Sequence, residues 1–386
     1  MVPANPLVPP RLDRVEAIHV RVPFRRPLLD AAGEFTHRRS WLLRLVDEDG
    51  NEGLGEATVS PFATDVTAGS LAMLMRDIVP ALVAGRMPAW AELAAEGEPG
   101  RAAMAAVDGA VGALAAARAA GAAGAAGAAV DPIPPAMIPV SALIAFAGPE
   151  AGADAAAQAV ELGFETLKLR AGFERTTDQL VDRLRAIRGA IGPEPRLRID
   201  AAGAWDLETA AERLEAVRPF RIEFVEQPLA AWDMTGHAAL RERVRVPVAL
   251  DESIDSEGSA RAALVERAAD VIVVKPARVG GSGAAMRIVE AASATGASAV
   301  LGTYFETGVG IASVLRIASA WRGAGRALEE AGLEPAHGLA TAGVLAHDLL
   351  AVPLPIEKGR MAVPAAVRLD EREVNRFELE RFEVRR

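Results

Sequence analysis

Three short apolar runs that each end in an acidic residue decide the fold: RLRID at residues 196–200, IEFVE at residues 222–226 and VPVALD at residues 246–251. Their final acids are separated by 26 and 25 residues, and a fourth run, DVIVVK, ends 24 residues later at Lys275. Between the runs, apolar residues recur at intervals of three and four, as in LETAAERLEAVRPF. Strand and helix therefore alternate with a unit of about 25 residues, which predicts a parallel α/β barrel.

The acids that end the three runs, Asp200, Glu226 and Asp251, are predicted to meet in space, because the carboxyl ends of barrel strands converge on one site. Three carboxylates at such short distances repel one another unless a cation neutralises their charge. An all-oxygen set suits a hard ion, so the spacing predicts a site for Mg²⁺, with Mn²⁺ as a second possibility. The alternative interpretation is that acids at strand ends only solvate the entrances of loops.

Lysine is rare in this chain and falls at two notable places. The sequence has three lysines, Lys168, Lys275 and Lys358, whereas the other 39 of its 42 basic residues are arginine. Lys168 and Lys275 lie in apolar strands on either side of the three acids. A buried lysine can be tuned to act as a base near neutral pH, which arginine cannot. The sequence therefore predicts two catalytic lysines, or else two buried cations that only pair with the acids.

Composition excludes several classes of function. The 386 residues carry a formal net charge of −10 with no basic cluster, which argues against a nucleic-acid partner. There is no cysteine, so disulfides and thiolate metal sites are ruled out. No run of 18 or more apolar residues predicts a membrane span, and the proline-rich start lacks the pattern of a signal peptide. A cytoplasmic protein without a membrane partner is expected.

The chain is predicted to form a barrel and a smaller companion domain. An α+β capping domain is expected at residues 1–132, the barrel at residues 133–350, and a C-terminal segment that returns to the capping domain at residues 351–386. The prolines of AVPLPIEKGRMAVP mark the point where the barrel pattern ends.

The capping domain is expected to begin with a small antiparallel sheet at residues 11–57, which turns at Asp47 to Asn51. The segment LLDAAGEFTHRR, residues 28–39, predicts a long loop of the kind that covers a site. Residues 66–120 are predicted to be helical throughout. The tract GAAGAAGAA at residues 121–129 predicts a flexible surface connection.

The barrel is predicted to start at residues 136–146 and to end with a short eighth strand at residues 336–341. In its second strand, side chains alternate between the two faces. Thr166, Lys168 and Arg170 are therefore expected to point into the barrel, and the leucines between them to face the helices.

The motifs TLKLR, RIDAAGAW, VEQPL, ALDES and VVKPARVGG, in this order and spacing, resemble the enolase superfamily, specifically its muconate lactonising subgroup. The resemblance covers nearly the whole chain. It implies a modified (β/α)₇β barrel with a capping domain formed from both termini. It further implies Mg²⁺ bound by Asp200, Glu226 and Asp251, with Lys275 acting on the opposite face of the substrate from the strand-two residues.

Two features locate the chain within this superfamily. Where the mandelate racemase branch has a histidine at the end of strand seven, this chain has Gly302, Thr303 and Tyr304. The amino-terminal pattern and the late AHGLATAGVLAHDLL resemble o-succinylbenzoate synthases of menaquinone synthesis.

One departure is Arg170, which stands where the family has a second lysine as base. Either Lys168 takes over that role, or Lys275 is the only acid/base and Arg170 is a fixed cation.

The resemblance implies a lyase that removes a proton α to a carboxylate of a small molecule and then eliminates water. The alternatives are an N-acylamino acid racemase or dipeptide epimerase, a muconate-type cycloisomerase and an acid-sugar dehydratase. From another class, a non-catalytic metal-binding relative is favoured by Arg170. The family is typically assembled as a homo-oligomer, and the same is expected here.

Substrate specificity is expected to depend on the capping segments and on the end of strand seven. Phe35 and Phe62 are predicted to pack on an apolar ring of the substrate, and Arg38 to meet a distal carboxylate. Tyr304 and Glu306 complete the predicted substrate-binding set. The competing interpretations are ordinary packing between domains for the aromatic residues and a solvated strand face for the arginine.

Overall fold

The computed structural model describes residues 11–30, 33–125, 135–145, 148–321 and 334–386. Its strands are β1 Leu12–Asp30, β2 Gly33–Asp47, β3 Glu52–Ala57, β4 Met137–Pro139, β5 Ala142–Ile144, β6 Thr166–Arg170, β7 Arg196–Asp200, β8 Ile222–Glu226, β9 Val248–Leu250, β10 Val271–Val274, β11 Ser298–Leu301, β12 Ile356–Glu357, β13 Arg360–Ala362 and β14 Glu378–Arg385.

The helices are α1 Asp65–Val83, α2 Trp90–Ala95, α3 Glu98–Ala125, α4 Pro149–Glu161, α5 Thr177–Ile191, α6 Leu207–Val217, α7 Met234–Arg243, α8 Glu257–Val265, α9 Pro276–Val279, α10 Ser282–Ala294, α11 Gly308–Trp321 and α12 Glu371–Phe377.

The first sheet is antiparallel, with strand order β14-β1-β2-β3. The loop predicted at residues 28–39 is wrong for its described residues: β1 reaches Asp30, β2 starts at Gly33, and the two strands pair as a ribbon in which Leu28 lies opposite Phe35. Residues 31 and 32 lie outside the described part of the chain. Pairing satisfies the backbone groups that an extended loop would leave to water. The turn predicted at the other end of β2 is confirmed, because the Asp47 carboxylate accepts the backbone N–H of Asn51 at 2.8 Å.

Residues 66–120, predicted to be helical throughout, form three helices with short non-helical connections between them. The chain breaks at Gly85 and at Gly97, which both have the positive φ that favours glycine. The last of them, α3, continues to Ala125, so the flexible connection predicted at residues 121–129 is wrong for its first five residues. Its other four residues lie outside the described part of the chain.

Helix α3 lies unusually close to strand β3. A Cβ placed on Gly53 would come within 2.2 Å of the Ala110 carbonyl oxygen, and one on Gly55 within 1.9 Å of the Ala106 carbonyl oxygen. Glycine is required at both places because any side chain would collide with helix backbone. The GLGEA sequence thus fixes the capping helix onto the sheet.

Length and composition alone would allow two helices to cross a membrane, α1 with a mean hydropathy of 1.5 and residues 98–120 of α3 with 1.3. In the structure both helices pack apolar residues against the antiparallel sheet. Leu71, Met75 and Ile78 of α1 belong to the same core cluster as residues of β1, β2 and α3. Their apolar faces are therefore used in packing within the chain.

The second sheet is the barrel, with seven parallel strands in the order β5-β6-β7-β8-β9-β10-β11. The eighth strand predicted at residues 336–341 is reduced to two single bridges. His337 pairs with Val140 beside β5, and Gly338 pairs with Gly302 just after β11. These bridges join the two edges of the sheet, so the barrel closes through two bridged residues and not through the full eighth strand that the periodicity predicts.

Alternation along the strands separates two apolar layers, as predicted. A small cluster fills the barrel interior: Phe224, Ala249, Val271, Val273 and Val300. Leu167 and Leu169 instead belong to the large cluster that includes the surrounding helices. Lys168 and Arg170, on the opposite face of β6, both contact Asp200 inside the barrel.

The chain after residue 350 contributes to two sheets. Strands β12 and β13 form a hairpin whose second strand pairs with β4 at the start of the barrel region. Strand β14 then pairs antiparallel with β1, next to the amino-terminal hairpin. The exact division into domains at residues 132 and 350 stays a prediction.

The face of the capping sheet opposite α1 and α3 packs against the barrel. Ile18, Val20 and Leu42 from this sheet share a core cluster with Val309 of α11 and Leu349. Because both faces of β2 are covered, its sequence WLLRLV lacks a solvent-facing alternation. The capping sheet therefore stands over the end of the barrel that carries the predicted site.

Candidate functional site

Strand register brings the predicted acids to one level of the barrel. Asp200 lies opposite Glu226 across β7 and β8, and Glu226 lies opposite Ala249 across β8 and β9. Asp251 follows one residue after β9 ends. The three acids are only 8%, 2% and 3% exposed. Neighbouring parallel strands thus hold three carboxylates in a nearly dry environment.

Both predicted lysines reach these acids. Lys168 Nζ lies 3.1 Å from Asp200 Oδ2 and 2.9 Å from Glu226 Oε1, and Lys275 Nζ lies 2.5 Å from Asp251 Oδ2. The lysines enter from β6 and from the end of β10, on opposite sides of the acids in the strand order. We call these five residues, Lys168, Asp200, Glu226, Asp251 and Lys275, the strand-end cluster.

Two arginines border the strand-end cluster. Arg170 Nη1 lies 3.2 Å from Asp200 Oδ1. Arg278, one turn after Lys275 in α9, donates to the Asp251 backbone carbonyl at 3.0 Å and lies 3.4 Å from its Oδ1. Both arginines thus place positive charge beside the acids, and the choice between Lys168 and Lys275 as the base stays a prediction.

The electrostatics of the acids are unequal. Burial raises the pKa of Glu226 to about 8, with Lys168 opposing and the charges of Asp200 and Asp251 adding to the rise. Burial also acts to raise the pKa of Asp251, but Lys275 and Arg278 outweigh it and hold that pKa at about 2. Burial acts to lower the pKa of Lys168, and the neighbouring carboxylates reverse this and raise it. Burial therefore favours the neutral form of Glu226, whereas the basic groups beside Asp251 keep that carboxyl ionised.

The donor set fits a hard divalent cation by its chemistry, being three buried carboxylates from consecutive strands. Glu252, next to Asp251, adds a buried Oε2 that has no hydrogen-bond partner in the described part of the chain, and burial raises the pKa of this residue to about 7. Among the described residues, however, no three His, Cys, Asp or Glu side chains converge closely enough to hold an ion as they stand. The basic groups pair with the carboxylate oxygens instead.

Gln227, immediately after Glu226, connects the ends of two strands. Its Oε1 accepts the backbone N–H of Asp251 at 3.0 Å and that of Ser253 at 3.1 Å. Its backbone has a φ of 42°, a left-handed conformation that is unusual for a residue other than glycine. The strain of this turn is offset by hydrogen bonds that hold Asp251 in position.

Tyr304 follows β11, the seventh strand of the barrel sheet, which ends at Leu301. Its ring centre lies 5.0 Å from Lys275 Nζ and 5.2 Å from Arg278 Cζ, and the residue is 6% exposed. Burial raises the pKa of the phenol, against the influence of Arg278. The aromatic face therefore stabilises the two cations beside Asp251.

The predicted aromatic pair comes together in the cap. The rings of Phe35 on β2 and Phe62 after β3 lie 4.5 Å apart with an interplanar angle of 70°. Phe62 is 37% exposed, so the pair presents apolar surface to solvent. Their binding of substrate stays a prediction.

Arg38 and Glu306, also predicted to bind substrate, lie in a buried polar group between cap and barrel. Arg38 Nη2 donates to the Val59 carbonyl at 2.6 Å, and its charge is attracted by Glu306 and Glu56. Burial, reinforced by the charge of Glu56, raises the pKa of Glu306 to about 7. We call Arg38, Glu56, Glu306 and Thr307 the seam cluster. Substrate binding by Arg38 and Glu306 stays a prediction, and the contacts that the structure gives them are with protein.

Three residues at the site were not anticipated from the sequence: Gln227, Glu252 and Arg278. Each stands within a motif already singled out, VEQPL, ALDES or VVKPARVGG. Helical spacing places Arg278 near Lys275, and this signal was available. The sequence carried no comparable signal for the side-chain direction of Gln227 or Glu252, which depends on the turns after the strands.

Comparison with known proteins agrees with this geometry. Residues 151–370 match the profile of the family described as Enolase C-terminal domain-like. The chain is 37% identical over 219 residues to the o-succinylbenzoate synthase of Thermobifida fusca, across 56% of this chain and 63% of that protein. It is 36% identical over 166 residues to the L-Ala-D/L-Glu epimerase of Clostridium acetobutylicum, across 42% of this chain and 46% of that one.

A solved structure extends the likeness in fold to almost the whole chain. The muconate lactonizing enzyme of Pseudomonas fluorescens, complexed with muconolactone, superposes with a TM-score of 0.76 over 96% of this chain and 100% of its own, at 23% identity. The sequence matches span less than two thirds of the length of the two relatives named above. Since the profile matches more than half of the residues and includes all the predicted acids and lysines of the site, this chain belongs to the enolase C-terminal domain-like family.

Proposed function

We propose that this chain is an enzyme that removes a proton α to the carboxylate of a small molecule, and that its reaction is the elimination of water by an o-succinylbenzoate synthase. The observation that carries the proposal is the strand-end cluster, in which three buried carboxylates lie between two lysines. The Thermobifida fusca relative named o-succinylbenzoate synthase supports the choice of reaction.

In the proposed reaction, Lys275 is the base. Its Nζ takes the α-proton, and the electron pair left on the substrate expels a β-hydroxyl group. The same lysine returns the proton to the departing oxygen, so that water leaves and one base suffices. Arg170 remains protonated throughout and stabilises negative charge on the substrate, as its place beside Asp200 allows.

Asp200, Glu226 and Asp251 are proposed to hold Mg²⁺, or Mn²⁺ in its place. The ion would supply positive charge beside the substrate carboxylate and so acidify the α-proton. Lys168 supplies positive charge to the same acids in this structure. Its proposed role is to move aside from Glu226 and to position the substrate.

A racemase or epimerase is the second candidate, as the relative from Clostridium acetobutylicum suggests. The observation that favours it is the position of Lys168 and Lys275 on opposite sides of the acids, because exchange of configuration needs a proton donor and an acceptor on opposite faces. Arg170 argues against it, since it occupies a place where a second base would stand.

The test is turnover of 2-succinyl-6-hydroxy-2,4-cyclohexadiene-1-carboxylate with added Mg²⁺, beside a chelated control. We expect metal-dependent loss of the diene. In parallel, N-succinylamino acids and dipeptides are incubated in heavy water, and deuterium at the α-carbon is measured. Loss of the diene without racemisation supports the lyase, and racemisation without loss of the diene supports the second candidate.

Absence of both activities and of any α-proton exchange, with metal demonstrably bound, would contradict the proposal and support a non-catalytic relative. Arg170→Lys then becomes informative, because it restores a second base on the β6 side. A cytoplasmic location and assembly as a homo-oligomer stay predictions, the second being tested by measuring the mass of the protein in solution.

A further inference from the structure

A cavity of about 230 Å³ lies between the capping helix α3 and the barrel helices, and no residue of the strand-end cluster lines it. Its walls include Ala105, Asp108 and Gly112 of α3, at the three- and four-residue spacing of one helix face. From α11 come residues of one face between Gly310 and Ala320. Because Ala320 is exposed, the cavity opens to solvent at the end of α11.

Arg316 is the charged residue of this cavity that uses the fewest of its hydrogen-bonding groups in the described structure. Its Nη2 donates to Ser313 Oγ at 3.0 Å. Within the described part of the chain it has no carboxylate within 4 Å, and only the more distant Asp108 attracts its charge. An arginine side chain has five N–H donors, so most of those of Arg316 have no acceptor among the residues that the structure describes. Burial lowers the pKa of Arg316 to about 10, consistent with a cation that is poorly compensated.

The acids of the cavity, in contrast, are already engaged. Asp108 Oδ2 accepts the backbone N–H of Ser282 at 2.7 Å. Glu56 accepts the hydroxyl of Thr307 at 2.7 Å and the backbone N–H of Gly310 at 3.0 Å. Glu306 accepts the backbone N–H of Tyr304 at 2.5 Å. The unmet hydrogen-bonding capacity is therefore that of donors, and it suits a ligand with acceptor oxygens.

Size and lining restrict the ligand further. A volume of about 230 Å³ exceeds what one bridging water fills and lies below the range of about 300–1,000 Å³ for sites of drug-sized molecules. Apart from the charged residues, the walls are small or apolar, including Ala277, Met286, Val314 and Ile317. This lining favours a compact molecule with an apolar body and one anionic end.

We propose that the cavity between α3 and α11 binds a small organic carboxylate, whose oxygens pair with Arg316 and whose apolar body lies against α3 and α10. A carboxylate matches the planar fork of guanidinium with two hydrogen bonds. The wall formed by Pro276 and Ala277 follows directly after Lys275, so a bound molecule would contact the short helix α9, which begins one residue after the proposed base.

Titration calorimetry with benzoate on the full chain, kept free of metal by a chelator, tests this site. Benzyl alcohol, which has the same ring and no charge, is the matched ligand. We expect benzoate to bind, benzyl alcohol to bind more weakly, and Arg316→Gln to lower the affinity for benzoate about tenfold or more, as for loss of a hydrogen bond to a charged group.

Gly112→Leu provides an independent variant that fills the space. A Cβ at Gly112 meets nothing within 4 Å, and replacing a glycine within a helix does not strain the fold. We expect this variant to keep its unfolding temperature and to lose benzoate binding. Arg185→Gln, which removes an exposed arginine paired with Asp182, is the matched control and should bind benzoate normally.

Lys275→Ala separates this site from the proposed active site, because binding that depends on Lys275 would take place at the barrel mouth. We expect Lys275→Ala to retain the wild-type dissociation constant for benzoate. The proposal is overturned if Arg316→Gln and Gly112→Leu leave that constant unchanged. It is equally overturned if Lys275→Ala abolishes binding, or if the wild type does not bind benzoate at millimolar concentration.

Discussion

The seam cluster and the strand-end cluster, two of the buried groups of charged residues in the described part of the chain, are built differently. In the seam cluster, Glu56 receives hydrogen bonds from the backbone of Thr307, its hydroxyl and the backbone of Gly310, at the start of α11. In the strand-end cluster, the acids are met chiefly by the ends of lysine and arginine side chains. One group ties its acid to fixed backbone, and the other pairs its acids with long side chains that can move.

The difference agrees with a structural role for the seam cluster and with the catalytic role proposed for the strand-end cluster. A carboxylate that accepts several backbone N–H groups at a helix N-terminus stabilises that helix and has little capacity left for a ligand. Carboxylates paired chiefly with the ends of lysine and arginine side chains can exchange those partners for a cation or a substrate. Burial raises the pKa of Glu226 to about 8, and the neighbouring Glu252 has a buried oxygen without a hydrogen-bond partner among the described residues, so a cation bound here would stabilise the ionised form of both.

The largest expected effect is on catalysis, in Lys275→Ala. We expect kcat to fall by about 10² to 10⁴, the usual contribution of a positioned base, while the unfolding temperature changes little. The measurement is steady-state turnover with Mg²⁺, and Lys358→Ala, which removes an exposed lysine, is the control. A kcat close to wild type in Lys275→Ala would remove this residue from the mechanism.

The seam cluster is expected to respond in stability instead. Glu56→Gln removes the charge that accepts hydrogen bonds at the start of α11, which should lower the free energy of unfolding by about 1.5–3 kcal/mol. The measurement is the urea midpoint, with kcat of the folded enzyme expected to stay near wild type. Glu208→Gln, at an exposed ion pair with Arg243, should leave the midpoint unchanged. If Glu56→Gln lowered kcat and left the urea midpoint unchanged, the structural role of the seam cluster would be contradicted.

A smaller effect is expected on the pH dependence of stability, through Glu306. Its pKa is about 7 in the folded state against 4.5 for the ordinary value. The folded state therefore binds the extra proton, so this contribution is full below about pH 4.5 and is lost as pH rises through 7. Glu306→Gln, which mimics the neutral form, should flatten the decline in stability by at most about 1.4 kcal/mol per pH unit.

The measurement is urea unfolding of metal-free wild type and Glu306→Gln at pH values from 5 to 8, a span that brackets the pKa of about 7. Glu306→Gln should be the more stable of the two at the alkaline end. Parallel curves for the two proteins would show that Glu306 is ionised in the folded state over this whole range.

The sequence was most informative where the strands repeat. Spacing and alternation predicted that Lys168, Asp200 and Glu226 would share the barrel interior, because parallel strands align their ends and period two fixes the direction of side chains. It was less informative where pairing partners lie far apart in the chain. Neither the extended ribbon at residues 28–39 nor the reduced eighth strand follows from local pattern, since each depends on what lies beside it.

The seam cluster shows the same limit at the level of single residues. Arg38 was interpreted as a surface or substrate-binding arginine, and the structure buries it at 2% exposure. Its neighbours Glu56 and Glu306 belong to β3 and to the segment before α11, some 250 residues apart. A pattern within one strand cannot reveal a partner contributed by another domain, so buried charges between domains are the part least accessible from sequence.

The most direct test of the account is the number of Mn²⁺ ions bound by metal-free wild type, Asp251→Asn and Glu56→Gln, measured from the electron paramagnetic resonance signal of free Mn²⁺. We predict one ion per chain in the wild type and in Glu56→Gln, and strongly weakened binding in Asp251→Asn. Equal binding by Asp251→Asn and the wild type would contradict the claim that the strand-end cluster holds the metal.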